Sequence, residues 1–446
     1  MREDERARDT GAPGRLPPPA PEPAASRPAR FAGGPGGARR FVPLAAVAAV
    51  ALALAAQAVL IFGVVVPYWM IDFAVYRGAA QALLHDVRLY ELGVDTAFFP
   101  GMMYTYTPFF AVMMVPAALV PAAVAQFAWT TAGYLALAAS IWLVLRITGV
   151  TTTRQRTTAL VTAGLICAAM LGPVQFNVLL GQVNLFLVVL VLLDFLPSLP
   201  ERYRGIATGI AAGIKLTPLF FVAYLFFTGR RRAAFQALGS FAATALVGFA
   251  LLPTDSRAYW FHGVFFDSAR AVPTDVMVNH SLPGFFARLV GERTAPDWSL
   301  LLAAAATAAC LAAAVWAHRR GHDVVGLLVI AFAAQLVSPV TWVHHCVWVV
   351  PALVWLATVA WRQATPLPRV LLGLVVLWYL APVWSLGHRI FDGVPFQHTP
   401  TGNLLVTLTG TLVPAVVAIA LLPVWLRRLR PPERAEVARP EVASAG

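Results

Sequence analysis

Charged residues are scarce in this chain. Only 12% of its 446 residues are Asp, Glu, Lys or Arg, whereas soluble globular domains carry about 25%. At the same time, 59% of the residues are hydrophobic and the mean hydropathy is +0.72. This composition argues against a soluble globular fold, and it predicts an integral membrane protein that crosses the bilayer several times.

Cysteines and nucleotide-binding motifs are also scarce. The three cysteines, Cys167, Cys310 and Cys346, all lie within apolar runs, which argues against a disulfide framework or a cysteine metal site. No Walker, Rossmann or zinc-protease motif is present, so nucleotide-driven chemistry is not expected. The net charge of +12 comes from short arginine clusters between apolar runs, a pattern typical of membrane topology rather than of nucleic-acid binding.

Lysine is almost absent, and Lys215 is the single one in the chain. It interrupts the apolar run 205–228, three residues before Pro218. A charge inside a membrane segment costs about 2.5–3.5 kcal/mol, so the side chain should face a partner or a cavity. Two interpretations stay open: an ammonium group that reaches an interface or pairs with a carboxylate, and one that binds a lipid-linked phosphate.

Two polar tails flank one long hydrophobic region. Residues 1–40 are rich in Pro, Gly, Ala and Arg and predict a disordered cytoplasmic tail, and residues 427–446 predict a second cytoplasmic tail. Between them, residues 41–426 form a transmembrane domain, for which we expect an all-α fold of about 11–13 membrane helices. Two large polar loops, at about 67–107 and 253–298, interrupt this domain.

Arginines indicate the orientation. Arg39 and Arg40 precede the first apolar run, Phe41 to Val66, and place its start in the cytoplasm. We therefore expect both termini in the cytoplasm and both large loops on the extracytoplasmic side of the plasma membrane.

An acidic residue stands directly after that first run. Asp72 lies at the mouth of a membrane helix, where ionisable side chains are rare. A helical pattern follows, in which Phe73, Tyr76, Ala80 and Leu84 share one face. Two roles are open for Asp72: a catalytic base held at the membrane surface, and a helix N-cap.

Further polar residues recur near the predicted outer membrane edge. Gln182 and Asn184 separate two short apolar runs and suit either sugar binding or the satisfaction of broken helix backbone. Asn279 and His280 lie in the second large loop, where polar residues are common.

A histidine pair, His344 and His345, stands at the start of a predicted span. Neighbouring residues point about 100° apart on a helix, so only one of the two can face a given cavity. This geometry argues against a paired metal site, and it leaves open a hydrogen bond to phosphate or sugar beside an ordinary packing role.

Five segments in order resemble a known enzyme family. They are Asp72-Phe-Ala-Val-Tyr-Arg77, Thr105-Tyr-Thr-Pro-Phe109, Gly181-Gln-Val-Asn184, Gly213-Ile-Lys-Leu-Thr-Pro218 and Ser338-Pro-Val-Thr-Trp-Val-His-His345. Each segment alone is weakly specific. Together they resemble the actinobacterial polyprenol-phosphate-mannose-dependent α-(1→2)-mannosyltransferases of glycosyltransferase family 87, which have the GT-C fold, and the resemblance covers roughly residues 42–426.

The resemblance implies an inverting transfer of mannose from a polyprenyl-phosphate donor to a hydroxyl of a glycolipid or glycan on the outer face. It implies no metal, no cofactor and no nucleic-acid partner, and it places the enzyme among membrane lipids. The family's catalytic carboxylate corresponds to Asp72, which acts as general base. The implied donor-phosphate ligands are Lys215, His344 and His345, and the expected substrate-binding residues are Tyr76, Arg77, Gln182, Asn184, Asn279 and His280.

Two alternatives remain from the sequence. The transferred sugar can be another lipid-linked one, such as arabinofuranose, because sugar identity depends on contacts that the sequence does not display. A secondary transporter or flippase of a lipid-linked sugar also uses broken helices and intramembrane charges. Two large loops rich in aromatic residues and the lack of repeated halves favour the enzyme.

Overall fold

The computed structural model describes residues 70–96, 99–267, 270, 273–276, 279–291, 298–362 and 366–380. Both tails, the first apolar run and the last predicted span at 404–426 lie outside the described residues. Within the described ranges the chain is mostly helical, which confirms the predicted all-α class.

Most of the α-helices follow one another with short connections, and the longer ones are residues 85–107 and 262–281. In chain order they are α1 (Ile71–Leu84), α2 (Pro108–Met113), α3 (Val115–Ala118), α4 (Ala122–Ile147), α5 (Arg154–Ala169), α6 (Gly172–Leu180), α7 (Asn184–Asp194), α8 (Ile206–Ile214), α9 (Leu219–Phe227), α10 (Arg231–Leu251), α11 (Pro253–Phe261), α12 (Leu282–Val290), α13 (Trp298–Arg319), α14 (Asp323–Val337), α15 (Val349–Arg362) and α16 (Leu367–Leu380). Two 3₁₀ segments, Glu201–Tyr203 and Val343–Trp348, and two short antiparallel strands, β1 (Gly93–Val94) and β2 (Met102–Met103), complete the described elements.

Several of these helices are membrane-spanning candidates. In the part of the chain that the structure describes, α4, α10, α13 and the continuous segment Val343–Arg362 are long and apolar enough to cross a bilayer. Helices α5 and α6, which meet at a bend of 79°, together form a fifth candidate. The protein is therefore a membrane protein, and the larger count of about 11–13 helices stays a prediction. Helix α1 lies outside these candidates.

Helix α1 buries one face in the core. Phe73, Tyr76 and Ala80 are buried as predicted, but Leu84 is 47% exposed because it is the last residue of the helix. Of the two roles left open for Asp72, the N-cap is excluded: Met70 occupies the cap position, and Asp72 is the second helical residue. Its carboxylate still lies in the first turn, where the unpaired amide groups favour negative charge.

Close helix packing fixes the position of Lys215. Helix α8 lies against α10, and a Cβ at Gly209 would overlap Ser240 Oγ and the carbonyl oxygen of Ala237. Small residues at such contacts let two helix backbones approach closely. The predicted break after this helix is confirmed: α8 ends at Ile214, Lys215 is extended at φ −145° and ψ 135°, and α9 begins four residues later.

A second break brings another polar turn to α1. Gly181 ends α6 at φ +70°, and a Cβ there would lie 2.5 Å from the Cβ of Phe73. The indole N–H of Trp129 donates to the Gly181 carbonyl oxygen at 2.8 Å. Because the segment Val343–Trp348 contacts both α6 and α7, the turn that carries Gln182 and Asn184 lies between α1 and the histidine pair.

Candidate active site

A network of neutral polar side chains surrounds Asp72. The hydroxyl groups of Tyr76 and Tyr106 lie 2.8 Å apart, and 3.1 Å and 3.2 Å respectively from Oε1 of Gln182. Nδ2 of Asn184 donates to the same oxygen at 3.3 Å. Since Oε1 faces these donors, the amide nitrogen of Gln182 is the group that donates to the Asp72 carboxylate. Gln182 is therefore oriented by three side chains before it meets the acid.

The environment of Asp72 changes its acidity. Burial raises the pKa of this carboxyl from 3.8 to about 6, while the hydrogen bond from Gln182 and the nearby charge of Lys215 oppose the rise. A carboxyl group with such a pKa is ionised at neutral pH and still basic enough to accept a proton. A strongly perturbed carboxyl beside an oriented polar network is typical of a functional site.

Asn184 links this network to Lys215. Its amide group also donates to Oδ1 of Asn177 at 3.3 Å and to the His344 carbonyl oxygen at 3.1 Å. Its own Oδ1 accepts from Nζ of Lys215 at 3.3 Å. The ammonium group lies 5.5 Å from the ring centroid of Tyr106, at cation–π distance. Asp72 and Lys215 thus belong to one continuous polar cluster.

Lys215 and His345 approach each other without an obvious hydrogen bond between them. Nζ of Lys215 lies 3.1 Å from Nε2 of His345, and Nδ1 of that ring accepts from the Trp342 backbone N–H at 3.2 Å. A neutral imidazole that accepts at Nδ1 carries its proton at Nε2. The ammonium and the Nε2–H group are then two donors at one place, an arrangement suited to an anionic oxygen that lies beside both of them.

A cavity opens at this pair of donors. Lys215, His345 and Asn184 line it together with Thr217, Gln335, Ser338 and Thr341. Its apolar wall is formed by Leu187, Val191, Pro218, Phe221, Ala331, Ala334 and Trp348. Oε1 of Gln335 is buried and has no hydrogen-bond partner among the described residues. The cavity lining therefore combines a cation and hydrogen-bonding groups with apolar side chains, which suits an anion attached to a lipid chain.

Two predicted site residues lie beside the cluster. His344 is buried, and it is absent from the residues that line the described cavity, so His345 is the member of the pair that faces it. The guanidinium group of Arg77 donates to the carbonyl oxygens of Ala117 and Val120, both at 3.1 Å. Arg77 therefore ties α1 to the end of α3 in this structure.

The pair from the second large loop occupies a different place. Asn279 is fully buried, and its side chain bonds to backbone groups of Thr274, Ser281, Pro339 and Thr341. The backbone N–H of His280 donates to the Thr341 carbonyl oxygen at 2.7 Å. Both residues thus lie against the chain segment that precedes the histidine pair.

Tyr106 and Gln335 were not among the predicted site residues. Tyr106 lies within the segment Thr105 to Phe109, so that motif was the available signal, whereas Gln335 stands in an apolar helix with nothing to distinguish it. For metals, the described ranges contain no group of three His, Cys, Asp or Glu residues placed to hold an ion.

The sequence is similar to known mannosyltransferases. It matches glycosyltransferase family 87 over residues 104–339. It is 34% identical over 316 residues to the polyprenol-phosphate-mannose-dependent α-(1-2)-phosphatidylinositol mannoside mannosyltransferase of Mycobacterium tuberculosis, covering 67% of this chain and 72% of the relative.

Two further relatives have related names. The pentamannoside mannosyltransferase of Mycobacterium tuberculosis is 32% identical, with 71% of this chain and 73% of the relative covered. The phosphatidylinositol mannoside mannosyltransferase of Mycolicibacterium smegmatis is 32% identical, with 67% and 72% covered. The matched residues include Tyr106, Gln182, Asn184 and Lys215 of the cluster described above. The chain belongs to glycosyltransferase family 87.

Proposed function

We propose that this protein transfers mannose from a polyprenyl-phosphate mannose donor to a hydroxyl group of a membrane glycolipid. The cavity supports this proposal most directly, because it joins the donors of Lys215 and His345 to an apolar wall. The relatives are named for a polyprenol-phosphate-mannose donor and for phosphatidylinositol mannoside acceptors. A phosphatidylinositol mannoside or a chemically similar glycolipid is accordingly the proposed acceptor.

The proposed reaction is one displacement with inversion at the anomeric carbon. The acceptor oxygen forms a bond to C1 of mannose while the bond from C1 to the phosphate oxygen breaks on the opposite face. The carboxylate of Asp72 takes the acceptor proton as the new bond forms. Its raised pKa, about 6, supports this role because the group is both ionised and basic near neutral pH.

The leaving group needs charge stabilisation more than a proton. Polyprenyl phosphate departs with the electron pair of the broken bond and gains a negative charge. The ammonium group of Lys215 and the Nε2–H group of His345 stabilise that negative charge. Gln182 and Asn184 lie between Asp72 and Lys215. Hydroxyl groups of the sugar can replace some of the hydrogen bonds that these two amide side chains make with each other and with Lys215.

We further propose that the site opens to the extracytoplasmic side and that both termini lie in the cytoplasm. The arginine clusters at 39–40 and 230–232 support this orientation. It places the base on the side where lipid-linked rather than nucleotide-linked sugars serve as donors.

A donor panel tests the proposed function. Purified protein in nanodiscs receives polyprenyl phosphates that carry radiolabelled mannose, glucose or arabinofuranose, together with a phosphatidylinositol mannoside fraction. The proposal expects labelled glycolipid from the mannose donor alone. Label from the arabinofuranose donor alone would assign a different sugar. If no donor gives a labelled product, the protein is reconstituted in sealed vesicles, and translocation of the donor across them would indicate a flippase.

A further inference from the structure

Asn279 uses its whole hydrogen-bonding capacity inside the protein. Its Nδ2 donates to the carbonyl oxygens of Thr274 and Pro339, both at 2.9 Å. Its Oδ1 accepts from the backbone N–H groups of Ser281 at 3.1 Å and Thr341 at 2.9 Å. A carboxamide has two donor hydrogens and two acceptor lone pairs, so none remains for a substrate.

These bonds hold the segment 339–341 from two sides. The Thr341 N–H group bonds to the Asn279 side chain, and the Thr341 carbonyl oxygen accepts from the His280 backbone N–H at 2.7 Å. The Pro339 carbonyl oxygen accepts from both Asn279 and the Ser281 hydroxyl group. The backbone of this segment is therefore anchored to the second large loop.

The loop side of this contact is itself braced by α12. Ser281 caps that helix by accepting from the Gly284 N–H at 3.1 Å. Arg288, in the last turn of the same helix, donates to the carbonyl oxygen of Asn279 at 2.8 Å. A Cβ at Gly284 would lie 2.5 Å from Cγ of Asn279, so the side chain fits against the helix with no spare room.

The anchored segment leads directly to His345. Trp342 follows Thr341, and its backbone N–H donates to Nδ1 of His345 at 3.2 Å. This bond selects the ring orientation and places the proton at Nε2, toward Lys215 and the cavity. A shift of the segment by a fraction of an ångström moves that donor away from its target.

We propose that Asn279 is a positioning residue, which fixes the backbone of 339–342 so that His345 presents its Nε2–H group to the donor phosphate. This inference rests on the function proposed above for His345. It replaces direct substrate contact by Asn279 with an indirect role, and it makes the second large loop part of the donor site.

The first test follows the segment itself, independently of activity. Protein labelled with 5-fluorotryptophan is studied by ¹⁹F NMR in nanodiscs, and the Trp342 signal is identified by its loss in Trp342→Phe. Asn279→Ala removes the four hydrogen bonds of the side chain, and Gly284→Ala adds a methyl group that displaces the Asn279 side chain. Both should shift or broaden the Trp342 signal. Gly239→Ala is the matched control, because a Cβ there meets nothing within 4 Å.

The second test is a double-mutant cycle on the rate of mannose transfer. Asn279→Ala should lower kcat/KM for the donor by about tenfold or more in the wild-type background, and by less than about threefold when His345→Ala is already present. The acceptor KM should change little, whereas the thermal midpoint should fall in both backgrounds, because the four buried backbone groups that Asn279 bonds lose their partner. A merely structural role would instead give equal losses in both backgrounds.

The outcomes separate the two proposals. An unchanged Trp342 signal in both Asn279→Ala and Gly284→Ala, or additive losses in the cycle, would overturn the positioning role. Transfer at the wild-type rate by His345→Ala would overturn the proposed contact of His345 with the donor phosphate, and with it the catalytic part of this inference. The Trp342 spectrum would still decide whether Asn279 anchors the segment 339–342. If Asn279→Ala does not fold, Gly284→Ala serves in both tests, since it keeps the carboxamide of Asn279 and displaces it.

Discussion

Nζ of Lys215 lies 3.1 Å from Nε2 of His345, and the bond from Trp342 N–H to Nδ1 makes that Nε2 a donor. Two donors facing one cavity are poorly placed to bond to each other and well placed to share an anionic oxygen. The apolar wall beside them suits a lipid chain. This relationship is the structural basis for the proposed donor site, and it leads to specific expectations.

Removal of the ammonium group should weaken use of the donor. We expect Lys215→Ala to lower kcat/KM for polyprenyl phosphate mannose by about 100-fold, or about 2.7 kcal/mol of transition-state stabilisation. The acceptor KM should stay near the wild-type value. Arg232→Ala, which removes an exposed cation elsewhere, is the control. Equal loss with respect to both substrates would point to a structural role for Lys215.

The two adjacent histidines should respond differently. His345→Ala removes a donor that lines the cavity and should reduce the rate with little loss of stability. His345→Gln keeps an N–H donor near the Nε2 position and should recover part of the rate. His344→Ala truncates a buried ring outside the cavity lining, so it should mainly lower the thermal midpoint. Steady-state kinetics and thermal unfolding of the three variants distinguish these effects. A loss of rate in His344→Ala and a loss of stability in His345→Ala would instead assign donor binding to His344 and packing to His345.

The pH dependence of transfer should report the ionisation of Asp72. A base acts only when deprotonated, so a pKa of about 6 predicts that kcat/KM falls as the pH drops below 6 and levels off above it. The hydrogen bond from Gln182 lowers this pKa. Gln182→Leu should therefore move the midpoint of the profile to higher pH. An unchanged midpoint would show that the loss of activity at low pH does not come from protonation of Asp72.

Helix packing should control both stability and activity. A side chain at Gly209 would overlap the backbone of α10, and such overpacking costs about 1–3 kcal/mol. Gly209→Ala should therefore lower the thermal midpoint, and it should slow transfer because α8 carries Lys215 at its end. Gly239→Ala lies where a Cβ meets nothing, and it should leave both properties unchanged. Equal behaviour of the two variants would contradict close packing of α8 on α10.

The site was partly predictable from the sequence. Asp72 and Lys215 stand out because charges are rare in apolar surroundings, and Pro218 marks the helix break beside the lysine. The sequence did not decide between a base and an N-cap for Asp72, because residue types do not fix the cap position, which the structure gives to Met70.

Hydrogen bonds between residues far apart in the chain could not be predicted from the sequence. Tyr106 reaches Gln182 across 76 positions, and Asn279 reaches Pro339 across 60 positions. Such contacts depend on how the helices pack, which residue types and spacing do not specify. The sequence also left the histidine pair undecided, and the orientation of His345 follows from one backbone hydrogen bond.

The most direct measurement is mannose transfer by Asp72→Asn. This variant keeps the size of the side chain and removes its basicity, so the protein should insert, fold and bind the donor while transfer falls by several orders of magnitude. Radiolabelled polyprenyl phosphate mannose is supplied in nanodiscs, and both labelled glycolipid and bound donor are counted. Retained donor binding with transfer abolished at every pH is the expected result. Transfer at the wild-type rate would contradict the role of Asp72 as the base.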